Sequence, residues 1–249
     1  KLKEITDYCF NGCTGFNGIL KMKKKVKIIK KFAFTNCSNF CGELKLSKSV
    51  QKIECYSFSG CSGFCGQLKI PKNVVSVGCS AFKNCSGFSG SLKISELITV
   101  IENETFSRCS GLTGSLVIPD SVTKIGACAF FDCFGFNESL RISKSVTLID
   151  DFAFYGCFGF KGKLLIPEKV TKIGNFAFFS CSGFSGSLLI PNSVTFIGNS
   201  SFSGCTGFNG SLFISNSLAK IGEFAFYGCS GLTGSLLIPC SVSAIERFA

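Results

Sequence analysis

The chain has 249 residues, 46% hydrophobic and only 16% charged, so it can bury a large core and is not a disordered tail or linker. It contains no His, which removes the usual neutral-pH general base, the commonest metal ligand and the usual pH switch. Its net charge of +11 is uneven: residues 1–93 carry 16 Lys/Arg against 4 Asp/Glu, and residues 94–249 carry 10 against 11.

Read from the N-terminus, residues 1–19 form a partial repeat, and from Leu20 the same pattern returns without insertion or deletion. A Phe recurs every 24 residues at 10, 34, 58, 82, 106, 130, 154, 178, 202 and 226, and a Cys at 13, 37, 61, 85, 109, 133, 157, 181, 205 and 229. Three residues after each Cys stands Phe or Leu, from Phe16 and Phe40 to Phe208 and Leu232. A strict period of this kind means that each repeat is one coil and that equivalent residues stack into ladders inside a continuous core.

Within each coil the elements follow in a fixed order. The L-x-I segment alternates in-out-in and predicts a short strand, so stacked coils build a parallel sheet with a rung spacing of about 4.8 Å. The five prolines, at 71, 119, 167, 191 and 239, follow this strand, where a missing donor does least harm. V-T-x-I-G predicts a second short extended segment closed by a Gly turn. A-F-x-x-C is too short for a long helix and predicts a helical or 3₁₀ turn. The periodic glycines after it, such as Gly183 and Gly186, read as turn residues and not as phosphate loops.

The string I-P-x-S-V-T-x-I-G-x-x-A-F-x-x-C-S-G-L/F-T-G-S-L, clearest at 188–211 and 212–238, resembles the BspA-like leucine-rich repeat family. The resemblance covers essentially the whole chain. Its usual unit is a residue shorter, and the F-x-G-S-L link here carries the extra step. It implies a leucine-rich-repeat solenoid of the α/β horseshoe class, mainly β, a right-handed-type coil of about ten 24-residue rungs. It also implies surface-exposed adhesion or host-interaction proteins of bacteria and protists, with no catalytic residues to carry over.

No linker interrupts the chain, so residues 1–249 read as a single domain. The last coil begins at Leu236 and stops at Ala249 before its ladder Phe, neither end looks like a capping repeat, and there is no initiating Met or signal-peptide core. The expectation is a mature form or fragment with uncapped ends. No stretch reaches the roughly 18 uninterrupted apolar residues of a membrane span.

The outward residue of L-x-I, read down the solenoid, is Lys21, Lys45, Lys69, Lys93, Val117, Arg141, Leu165, Leu189, Phe213 and Leu237. This row is the candidate ligand-binding face, basic at one end and apolar at the other. Its basic part suits an acidic glycan, an anionic lipid or an acidic protein, and an exposed apolar part marks an interface. Lys outnumbers Arg and no aromatic residues interleave the basic part, which argues against nucleic acid.

Ten of the seventeen cysteines are the ladder and read as buried thiols. Among the others, Cys41 and Cys65 share one repeat position on adjacent coils, as do Cys55 and Cys79. Adjacent coils hold equivalent Cα atoms about 5 Å apart, and a disulfide needs roughly 4.4–6.8 Å. Two disulfides and four free thiols in a reducing compartment both remain open. Six N-x-S/T sequons occur, at Asn36, Asn84, Asn103, Asn137, Asn199 and Asn209. No metal-ligand spacing, no nucleophile beside a base and no cofactor motif is present.

Two readings follow. The first is a non-catalytic adhesion module, extracellular or at a cell surface, binding a protein or glycan through the outward sheet face. The alternative is a cytoplasmic or filament-like scaffold that self-associates end to end.

Overall fold

The computed structural model describes residues 2–22 and 24–249. It is a solenoid in which every strand pairing is parallel and joins residues 24 positions apart, such as Ile149 with Ile173 and Leu188 with Leu212. The strict sequence period therefore becomes a strict spatial period.

Two ladders run along it. The T-x-I segment forms the longer one: four strands from Glu4–Ile5 to Ser76–Val77, then seven from Val100–Ile101 to Ala244–Ile245. The L-x-I segment pairs in twos, Leu68–Lys69 with Leu92–Lys93, Leu116–Val117 with Leu140–Arg141, and Leu188–Leu189 with Leu212–Phe213. Sequence reasoning places the main sheet at L-x-I and gives T-x-I a secondary part; the structure reverses that emphasis.

The A-F-x-x-C segment is a run of tight turns and not the expected helical or 3₁₀ turn. Each coil holds two residues in the left-handed region, one two positions before the ladder Phe and one two positions after it, such as Cys128 (φ 54°) and Asp132 (φ 54°) around Phe130. A continuous right-handed helix cannot include them. Hydrogen bonds alternate accordingly. The amides of Ala129, Phe131 and Cys133 close turns within the coil, onto Gly126, Cys128 and Phe130. Those of Cys128, Phe130 and Asp132 cross to Asp151, Ala153 and Tyr155 of the next coil at 2.8–2.9 Å. A left-handed non-Gly residue costs roughly 1–2 kcal/mol, and the inter-coil bonds offset it.

The core is the stack of inward columns. Ladder Phe rings lie nearly parallel, 5.3 Å apart from Phe130 to Phe154 and 5.2 Å from Phe154 to Phe178. Every ladder thiol from Cys37 to Cys229 donates to the carbonyl of the ladder Phe in the preceding coil, Cys133 Sγ to Phe106 O at 3.0 Å for example. That carbonyl also accepts the amide of Cys109. Cys thus fills a small apolar space and adds a donor that Ala would lack. Burial holds the thiols of Cys85, Cys109, Cys133, Cys157, Cys181 and Cys205 well above the ordinary thiol range and raises that of Cys229 to about 11. At Gly135 the coils approach so closely that a Cβ would lie 2.2 Å from the carbonyl oxygen of Ser110.

Candidate functional site

The L-x-I strands set the candidate row by their pleat. In Leu68–Lys69, Leu116–Val117 and Leu188–Leu189 the first residue is buried in the core and the second is exposed. Neighbouring members of the row are in register, with Lys21 opposite Lys45, Lys69 opposite Lys93, Val117 opposite Arg141 and Leu189 opposite Phe213. All ten side chains are exposed. Leu165 and Leu237 are the most open of the apolar members, at 70% and 75% of their full accessibility. Nothing among the described residues covers this face, so the leucines and the phenylalanine form an apolar strip on the surface.

A second row lies beside the first, and sequence reasoning missed it. Three positions further round each coil stand Lys24, Lys48 and Lys72, all exposed, followed by Glu96 and Asp120. The period that reveals the first row would have revealed this one. What the period cannot give is that the rows touch. Arg141 of the first row donates to both carboxylate oxygens of Asp120 of the second, at 2.8 and 2.9 Å. A residue of the first row thus meets the second-row residue of the preceding coil.

A patch of aromatic rings also escaped the sequence reading. Phe131, Tyr155 and Phe179 stack 4.7–4.8 Å apart, and Phe152 stacks on Phe176 beside them at 4.8 Å. These turn positions carry Ser, Thr or Lys in several other coils, so they were not seen as a column.

The four candidate disulfide cysteines are free thiols in the structure. Cys41 and Cys65 are exposed, and the Cys41 thiol donates to the carbonyl of Asn17 at 3.1 Å. Cys55 and Cys79 are half-buried; burial first, then the neighbouring Cys55 and Glu102, raises the Cys79 thiol. Among the described residues no group of three His, Cys, Asp or Glu side chains is placed to hold a metal. No helix among the described residues is long and apolar enough to cross a membrane. An open cleft of about 890 Å³, lined by Leu2, Phe10, Phe16, Leu20 and Met22, is the core cross-section of the first coil.

The profile of the BspA-type leucine-rich repeat region matches in six copies, over residues 3–137, 112–205 and 136–249. The chain belongs to the BspA-type leucine-rich repeat family. Among solved structures, this BspA-type solenoid is similar to a leucine-rich cell surface protein of Faecalibacterium prausnitzii: 22% identity, TM-score 0.59, over 93% of this chain and 78% of that one. It is similar to the leucine-rich repeat protein of T. pallidum at 28% identity and TM-score 0.55, over 63% of this chain and 71% of that one. The pneumococcal vaccine antigen PcpA aligns at 16% identity and TM-score 0.60, over 98% of this chain and 64% of its own. Among curated proteins none matches the chain.

Proposed function

We propose that this BspA-type chain is a non-catalytic binding or adhesion module, extracellular or at a cell surface, that engages a protein or glycan through the outward row of its L-x-I strands. The observation that carries this is the row itself. Ten side chains at one repeat position are exposed, four neighbouring pairs of them in parallel register, basic from Lys21 to Lys93 and apolar from Leu165 to Leu237. A rigid, repetitive face orders few groups on binding, which keeps the entropic cost of broad contact low. The apolar end is an uncovered patch of the kind that marks interfaces on soluble proteins. The F. prausnitzii relative is described as a cell surface protein, which supports the same setting.

The test is capture of the protein by immobilised extracellular-matrix extract. A row variant, Lys69→Glu with Leu189→Glu, is expected to lose capture at an unchanged melting temperature. A variant on the longer ladder, Lys52→Glu with Lys172→Glu, should retain it. Equal capture by both would exclude the row as the binding face.

A further inference from the structure

We propose that the coils carrying Lys21 to Lys93 bind a linear sulfated polysaccharide laid along the solenoid axis, with its anionic groups seated one coil apart between the two lysine rows. This rests on the reading of the sheet face given above and names the ligand class of its basic end.

The pair Arg141–Asp120 supplies the geometry. There the two rows meet, and a carboxylate sits within hydrogen-bond distance of the facing cation at 2.8 and 2.9 Å. The same two positions in earlier coils are Lys45 with Lys24, Lys69 with Lys48, and Lys93 with Lys72. Cations thus face cations three times in succession, where a later coil provides its own anion. Of these six lysines only Lys45 has a carboxylate within 4 Å among the described residues, Glu43 at 3.4 Å. The fold does not require lysine there, because the same column holds Val117, Leu165, Leu189 and Phe213 further on. The array also stops sharply: Glu96 follows Lys72 in the second row, and Val117 follows Lys93 in the first. Around Lys69 with Lys48 and Lys93 with Lys72 no carboxylate stands within 4 Å among the described residues, and at the third place Glu43 meets only Lys45, so a ligand carrying anions spaced by one coil would complete the array.

That spacing selects the ligand. The parallel pairing of Lys21 with Lys45 and of Lys69 with Lys93 sets a coil spacing of about 4.8 Å on this face. This is close to the length of one sugar residue, and successive residues present their anions to alternate sides, so a stiff polysaccharide lying between the two rows meets a lysine at each coil. An extended acidic peptide presents same-face side chains about 7 Å apart and falls out of step. An acidic helix comes nearer in spacing but docks through apolar anchors, and between the two rows Ile70 and Pro71 are buried. A nucleic acid strand would want stacking faces, and the rows offer none.

The experiment is calorimetric titration of the whole chain, kept reduced, with size-fractionated heparin oligosaccharides. Affinity should rise with length to about a tetrasaccharide and then level off, because three anion places one coil apart span only about 10 Å. It should weaken as salt is raised. Lys48→Gln with Lys69→Gln should weaken it by about tenfold or more, as expected for two lost charge-assisted contacts. The charge-matched pair Lys52→Gln with Lys172→Gln, on the longer ladder, should leave it unchanged. Equal weakening by both pairs would mean diffuse attraction to a basic protein and would overturn the proposal. So would tighter binding of polyglutamate than of heparin at equal charge, which would make the site one for acidic protein. If heparin fails while Lys69→Glu with Leu189→Glu still abolishes matrix capture, the polysaccharide falls and the sheet-face reading stands. If neither effect is seen, both fall.

Discussion

The coil around Lys69 and the coil around Leu189 share one backbone. Each has a buried Leu followed by an exposed residue on the short ladder. Each has a stacked Phe and a thiol bonded to the preceding coil. Outside, one presents a lysine flanked by Lys48, and the other a leucine flanked by Glu168. Inward columns repeat because each side chain must fit its copies above and below. Outward columns are free of that constraint, so they can change from basic to apolar without disturbing the core. This division between inward and outward columns can be broken by substitution.

The largest effect should come from the Phe ladder. Phe130 is fully buried between two rings, and Phe130→Ala should cost about 3–5 kcal/mol in urea unfolding. Lys69→Ala in the same assay should cost almost nothing. Next, Gly135→Ala forces a methyl against two carbonyl oxygens and should cost about 1–3 kcal/mol.

The buried thiols predict a pH dependence. Unfolding exposes them at an ordinary pKa near 9, while in the folded chain burial keeps them protonated well above it. Above that pH the unfolded state binds fewer protons than the folded one, so stability falls as pH rises. Urea midpoints under reducing conditions should therefore drop between pH 8 and pH 10. Cys133→Ala should be less stable at pH 7 but lose less over that interval.

The smallest effect lies on the surface. Arg141→Ala removes an exposed bidentate pair with Asp120 and should cost no more than about 1 kcal/mol, less in high salt.

Much of this was legible in the sequence. The period located every coil, the inward Phe and Cys columns and the outward row from Lys21 to Leu237, and the family resemblance agreed with them. Three things were not legible, each for a physical reason. The left-handed residue two positions before the ladder Phe carries no sequence mark, since Tyr8, Glu104, Cys128 and Phe152 occupy it where a turn would favour glycine, whereas the one two positions after it is Gly, Asn or Asp in most coils. Inter-coil hydrogen bonds dictate that conformation, and the side chains there do not signal it. The longer ladder falls on T-x-I, and both segments alternate buried and exposed in the same way, so a two-residue pattern does not tell them apart. The contact between the two rows, three residues apart in the chain, emerged only from the Arg141–Asp120 pair.

The most direct test of the division between core columns and binding row is lysine acylation footprinting read by mass spectrometry, with and without immobilised matrix extract. Binding through the outward row predicts protection of Lys21, Lys45, Lys69 and Lys93, with Lys52, Lys124, Lys172 and Lys220 on the longer ladder as reactive as before. Protection spread evenly over both sets, or confined to the longer ladder, would contradict it.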